Sequence, residues 1–302
     1  MCDYRDPTFC YEKERGGFMN TIQKNRRVQG RLASVMVLLL LILGAVFVLF
    51  PVYMCVLNSL KTRQEMMNNI LAFPAVLHFE NYIDTFFKTD YIRSLFNTVT
   101  VVLVGLIGIL LFSAMAGYKL SRTKTRFSSV MFTFFIMAML IPFHAIMIPL
   151  TTLANRLQLQ GYTIGLGVIY IGLGVPMAIF LYHGFSKSIP QELDEAALMD
   201  GCGEPRLFFN IIFPLLSPIT ATSAVLNVLW MWNDFLLPLL MLTDNKNYTL
   251  LLSTNMLFGK YGNNDWTALL CVLILAMLPV IILYLIFQKY IVKGIMEGAV
   301  RG

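Results

Sequence analysis

Five of the 17 acidic residues of this 302-residue chain, Glu192, Asp194, Glu195, Asp200 and Glu204, fall within thirteen positions. Histidine is sparse: His78, His144 and His183 lie far apart, with no H-E-x-x-H spacing. Cys2, Cys10, Cys55, Cys202 and Cys271 are odd in number and scattered, with neither a metal-binding spacing nor a disulfide framework. No G-x-x-x-x-G-K-[ST] phosphate-binding loop is present, and the one Gly-Lys pair, Gly259-Lys260, is followed by tyrosine. These patterns hold no catalytic constellation and no metal or nucleotide site, so a non-enzymatic chain is expected. Two features remain for function: the acidic stretch, and Asp234 in "WMWNDF", an ionisable group inside an apolar run.

The elements that position them are membrane spans. Hydrophobic residues make up 57% of the chain and charged residues 13%, against roughly 45–50% and about 25% in soluble domains. Six runs reach the about 20 apolar residues that cross a bilayer: Leu32 to Asn58, Ser94 to Tyr118, Phe127 to Leu150, Gly161 to Phe185, Pro214 to Leu242 and Trp266 to Phe287. The expected fold is an all-α membrane protein of six transmembrane helices with a cytoplasmic helical hairpin between the fourth and fifth. Residues 1–31 form an N-terminal tail, 32–289 the six-span transmembrane domain with its loop at 187–214, and 290–302 a C-terminal tail. Basic residues cluster at span ends, so the net charge of +6 is no sign of nucleic acid. Sixteen of the 23 sit on one side, in the N-tail, around Lys119 to Arg126, at Lys187 and Arg206, and in the C-tail. The positive-inside rule puts both tails and the acidic stretch in the cytoplasm. The first run is too long for a cleaved signal and reads as a signal-anchor. Either Met1 or Met19 is the start.

Within "SIPQELDEAALMDGCGEPRLFFNIIFPLLSPI", Ser188 and Gln191 have capping-box spacing and Pro190 suits a first helical turn. Glu192, Asp194 and Glu195 crowd the end where the helix dipole favours anions. Leu193, Ala196 and Ala197 share a narrow apolar face. Gly201 fits a C-terminal stop, and a second short helix starts near Glu204-Pro205, carrying Leu207, Phe208, Ile211 and Ile212. Spacing alone leaves open an ordinary amphipathic loop helix or a docking element.

The stretch resembles the signature of the inner-membrane permease subunits of binding-protein-dependent ABC importers, of the maltose-transporter permease type. That signature is Glu-Ala-Ala, three residues, Gly, nine residues, Ile, one residue, Leu-Pro. Here it reads Glu195, Ala196, Ala197, Gly201, Ile211, Phe213 and Pro214, with Phe213 in place of leucine and Cys202-Gly203 a further departure. "SLKTRQEM", "MLIPFHAIMIPL", "WNDFLLPLLML" and "FQKYIVKGIMEGAVRG" are similar to other parts of the family, from about Arg31 to the end. The resemblance implies that the hairpin is a coupling helix seated on an ATP-binding subunit. Glu195 would be the charged anchor, Ala196 and Ala197 the close-packing surface and Gly201 the angle between the helices, with Asp200, Ile211 and Pro214 completing the docking set. It implies as partners an ATP-binding-cassette ATPase dimer that holds ATP and magnesium, a second permease subunit, an extracytoplasmic sugar-binding protein and membrane lipid. The implied cargo is a sugar or oligosaccharide, with glycerol phosphate or another polyol as the alternative.

Asp234 reads either as a polar helix end flanked by the interface aromatics Trp230 and Trp232, or as part of a rim where Trp232, Asn233 and Asp234 meet sugar. Counted along a straight helix from Pro214, it lies about 30 Å in, near the outer face. His144 beside Pro142 reads as a satisfied histidine at a kink rather than a proton relay. Gly161, Gly165, Gly167, Gly172 and Gly174 in the fourth span read as close packing rather than a gate. Pro142, Pro149, Pro176, Pro238 and Pro279 are expected to kink spans. An ion-coupled secondary transporter, the alternative mechanism, would need midplane carboxylates and an internal repeat, and the sequence shows neither.

Overall fold

The computed structural model describes residues 34–258 and 265–299, with side chains of the last helix described as far as Leu285. The expected tail 1–31 with Met19 and the Gly259-Lys260 pair lie outside the described residues. So do the side chains from Tyr290 onward that carry part of the family resemblance. Among the described residues there is no strand.

The chain divides into two units after Leu57. The first contains α1 (Ser34–Ser59) as far as Leu57, an uncharged helix whose side chains are exposed from Ser34 to Tyr53, Phe47 to 79%. The second opens on two short helices, α2 (Arg63–Asn68) and α3 (Glu80–Lys88). Their loop is organised by Lys61, which is 1% exposed. Its Nζ donates to Asn58 Oδ1 at 2.9 Å and to the carbonyls of Asn69 and Ile70 at 3.1 and 3.0 Å, the free acceptors just past α2. Lys88 at the end of α3 pairs with Asp265 at 3.0 Å, just ahead of the last helix.

The centre of the second unit is a parallel pair, α4 (Tyr91–Arg122) and α7 (Thr163–Ser186). At 1.5 Å per residue the 32 residues of α4 run about 48 Å, longer than the about 30 Å of a bilayer core. Small residues let the two backbones close on each other. A Cβ added at Gly167 would sit 2.8 Å from Val104 Cβ, and one at Gly117 would sit 2.7 Å from Tyr182 Cβ. The glycines at these positions therefore serve packing, as expected of apolar helices that cannot gain from burial away from water.

Between α4 and α7 the expected single span, Phe127 to Leu150, is two helices. α5 (Arg126–Met139) and α6 (Phe143–Arg156) are bent by 103°. Pro142 does more than kink. It has no N–H, it biases Ile141 away from helical backbone, and it stands in extended conformation (ψ 135°) as the cap of α6. After α7 come α8 (Glu192–Met199), α9 (Glu204–Leu207), a π-helical turn at Phe208–Ile212 and α10 (Phe213–Leu215). α11 (Ser217–Asn233) then departs at 75° from Glu204–Leu215. The expected continuous fifth span, Pro214 to Leu242, is thus bent at Leu216 and broken again at Asp234, whose ψ of 129° ends α11, before α12 (Leu236–Met241). Two 3₁₀ turns follow, then α13 (Trp266–Ala299), which runs past Phe287 through most of the expected tail.

Bonds between segments fix how often the chain crosses. Arg122 at the end of α4 and Ser186 at the end of α7 are joined. At the opposite end, Gly161 N–H donates to Met241 O at 2.8 Å and Asn97 Nδ2 to Tyr248 O at 3.0 Å. The chain therefore leaves α4 at one end and enters α7 at the other, so α5 and α6 together make one crossing. The same holds from Glu204 to Met241. With α1, α4, α7 and α13, four helices long and apolar enough alone, the two bent pairs bring the crossings to six.

Candidate functional site

The acidic hairpin stands where the ends of α4 and α7 meet. The expected capping box does not form. Ser188 Oγ donates instead to Phe185 O at 2.8 Å, Gln191 precedes α8 in helical conformation, and it makes no side-chain cap. The chain enters α8 already turning from α7, so no extended cap residue is available.

The other end of α8 is closed by a Schellman motif. Cys202 N–H donates to Ala197 O and Gly201 N–H to Leu198 O, both at 3.0 Å, with Gly201 at φ +80°. Gly201 is therefore a conformational requirement, and Cys202 takes the position where a partly buried apolar residue accompanies this motif. The second limb holds Leu207, Phe208 and Ile212 in the core, with Ile211 half-buried beside them.

What fastens the hairpin is Asp194, not its neighbour. Asp194 Oδ2 lies 2.6 Å from Arg122 Nε, each side chain 12% exposed. Arg122 Nη1 also donates to Ser186 O at 3.1 Å, and its guanidinium sits 5.5 Å above the Tyr118 ring. Lys119, one turn earlier, reaches Glu204 at 2.8 Å across an exposed surface. The two limbs of the hairpin are thus each tied to the last turn of α4. Glu195 is left outward, with Leu193, Ala196 and Met199 exposed around it. The alanine pair splits: Ala196 faces out and Ala197 is buried. Asp200 and Pro214 are exposed.

A second feature lies deeper in the bundle. Asp234 accepts a hydrogen bond from Tyr170 Oη at 2.8 Å on one carboxylate oxygen. On the other it accepts the N–H groups of Leu236 and Leu237, at 3.0 and 3.4 Å. The carboxylate thus satisfies backbone donors freed where the helix breaks. Tyr170 lies seven residues into α7, about 10 Å from its start, so the bends place Asp234 well inside that end rather than at its rim. Asn233 and Asp234 line a cleft of about 580 Å³ with Phe143, His144, Trp230 and Leu173. Trp232 turns away from it. It is 7% exposed and its Nε1 donates to Ala276 O at 3.2 Å, joining α11 to α13. Trp230, and not the expected Trp232, lines the cleft, edge-on to Tyr170 with ring centroids 5.2 Å apart. His144, exposed at the α5–α6 corner, points its ring into the same cleft.

These observations describe an all-helical, multi-pass membrane protein whose densest acidic cluster, among the described residues, is one helical hairpin at the foot of two spans. The probable starch degradation products transport system permease protein of Thermoanaerobacterium thermosulfurigenes is 38% identical over 266 residues, 87% of this chain and 96% of that one. The multiple sugar-binding transport system permease protein of Streptococcus mutans is 35% identical, over 87% and 95%. The crystal structure of a bacterial ABC transporter involved in the import of the acidic polysaccharide alginate has a chain of the same fold, with a TM-score of 0.75 at 22% identity over 86% of this chain and 96% of that one. The profile of the binding-protein-dependent transport system inner membrane components matches residues 108–297, and the chain belongs to that family. It is a permease subunit of an ABC importer, not an enzyme.

Proposed function

We propose that this chain carries a sugar or oligosaccharide across the cytoplasmic membrane and takes its drive from an ATP-binding-cassette ATPase dimer through the α8–α9 hairpin. ATP and magnesium are held by that partner. A second permease subunit completes the pathway, and an extracytoplasmic sugar-binding protein delivers cargo. Both tails and the hairpin face the cytoplasm. The observation that carries this reading is the division of labour in the acidic cluster: Asp194 and Glu204 hold the hairpin to α4, while Glu195 and Ala196 present an outward face, the Glu195 carboxylate forming no ion pair among the described residues. Glu195 is placed to pair with a basic side chain of the ATPase, where charge-assisted bonds are strong. Cargo passes the cleft of Trp230, Asn233 and Asp234, whose aromatic faces and polar groups suit sugar hydroxyls. The sugar class follows the names of relatives that include an arabinooligosaccharide permease of Bacillus subtilis, 34% identical over 84% of this chain.

The test is purification of the tagged chain in mild detergent with mass-spectrometric identification of its companions, from cells carrying the wild type or Glu195→Lys. The wild type should bring an ATP-binding-cassette subunit and a second permease. Glu195→Lys should keep the permease, lose the ATPase and abolish sugar uptake. An ATPase that still accompanies Glu195→Lys at wild-type yield removes the docking role.

A further inference from the structure

Beside the hairpin, and away from the Asp234 cleft, α5 leans off the ends of α4 and α7 and leaves a cavity of about 800 Å³. Lys124 lines it from the turn between α4 and α5, Arg126 from the first residue of α5, and Lys187 from the end of α7. No acidic residue lines it, and among the described residues none of these cations forms an ion pair. The neighbouring cations Lys119 and Arg122 are already matched by Glu204 and Asp194. Three exposed cations therefore line one cavity, and among the described residues no carboxylate pairs with them. Phe132 and Val130 supply apolar lining among hydroxyl side chains, and Phe132 is stacked on buried His183, which also lines the cavity, with ring centroids 3.6 Å apart. From the mouth, α5 continues into its crossing with Phe127, Val130 and Phe134 exposed at 72%, 60% and 62%.

Cations at the end of a span, above an exposed apolar flank that descends into the bilayer, match an amphiphile with an anionic head. We infer that this cavity binds the phosphodiester headgroup of an anionic phospholipid, with its acyl chains along the outer flank of α5. Basic pockets between spans recognise such heads through the field of the anionic leaflet and direct pairing. An acidic protein segment would use the cations but not the apolar flank, and free phosphate would use neither Phe132 nor the apolar flank of α5. The inference rests on the crossing path of the chain and not on which ATPase or cargo it serves.

The test is native mass spectrometry of the full-length chain, extracted with whatever subunits remain bound, delipidated and titrated with phosphatidylglycerol, phosphatidylcholine or inorganic phosphate. Phosphatidylglycerol should bind in a 1:1 step, phosphatidylcholine should not at equal concentration, and millimolar phosphate should not displace it. At roughly fivefold for each basic side chain near an anionic surface, the variant K124A/R126A/K187A should bind about a hundredfold more weakly. K124R/K187R should bind as the wild type does, and K246A, at the other end of the bundle, should change nothing. Should the triple variant fail to fold, K187A alone should show about a fivefold loss. Equal binding of the two lipids, displacement by phosphate or by an oligo-glutamate peptide, or wild-type affinity in the alanine variants would overturn the assignment. Recovery of the ATPase in the same preparations reports separately on the importer reading.

Discussion

Replacing Asp194 with alanine removes the carboxylate that pins the hairpin and leaves Arg122 in place, a guanidinium 12% exposed at the end of α4. Breaking a buried ion pair from one side costs about 3–5 kcal/mol, because the remaining charge loses its compensation. Arg122 keeps the Ser186 carbonyl at 3.1 Å and the Tyr118 ring at 5.5 Å, so the lower end, about 3 kcal/mol, applies. The loss falls on the seating of α8, since the glycine-packed faces of α4 and α7 do not include Asp194. At 1.4 kcal/mol per decade this is about a hundredfold in the population of an unseated hairpin. Amide hydrogen exchange along Ala196 to Asp200 should accelerate by about that factor, while amides in the middle of α4 and α7 keep wild-type rates. The double variant Arg122→Met with Asp194→Leu should return exchange to within a few-fold of wild type, since apolar side chains of similar volume replace a buried pair at little cost. Unchanged exchange in Asp194→Ala, or a double variant as labile as the single one, would refute the reasoning.

Gly201→Asp places a side chain at φ +80° and should cost about 1–2 kcal/mol locally; sugar uptake should vanish while the protein inserts normally, which membrane fractionation with an uptake assay checks. Gly167→Leu drives a side chain into Val104 and should lower stability by about 1–3 kcal/mol or more, read as a lower midpoint in thermal unfolding, whereas a midpoint equal to wild type would remove the close-packing account. Trp230→Ala should reduce uptake with little change in unfolding. Trp232→Phe, which loses the bond to Ala276 O, should cost about 1 kcal/mol and leave uptake nearly intact; reversal of that pattern would put the wrong tryptophan in the cleft.

The spans and the turn of the hairpin could be read from the sequence because their causes are local. Run length, charge at the ends, and a glycine four residues past a helical alanine are each local features. The failures have non-local causes. Pro142 sits in an apolar run, and only packing decides whether such a proline bends a span slightly or splits it by 103°. Ser188 had the right spacing for a cap, but the approach from α7 takes its hydroxyl elsewhere. Tyr170 and Asp234 are 64 positions apart, and nothing near either announces the other. Asp194 and Glu195 are adjacent carboxylates in the same helical turn, and the reach of Arg122 alone decides which is inside. Trp230 and Trp232 differ by two positions, hence by more than half a turn of helix. Without the packing of α11 against α13, the phase that sends one inward and the other to the cleft is undetermined.

The parallel α4–α7 pair is a beam fixed at both ends. Its foot is welded to the hairpin through Arg122, and its head is bonded to the end of α12 through Gly161 and to the segment after it through Asn97. Tyr170 lies on this beam, sixteen residues or about 24 Å above Ser186. A tilt of the beam by about 10° about its foot would carry the Tyr170 hydroxyl about 4 Å on that arm, more than the 2.8 Å that separates it from Asp234. Under such a tilt a push on the hairpin would arrive in the cleft as the making or breaking of one hydrogen bond, at a point where the α11–α12 chain is already interrupted.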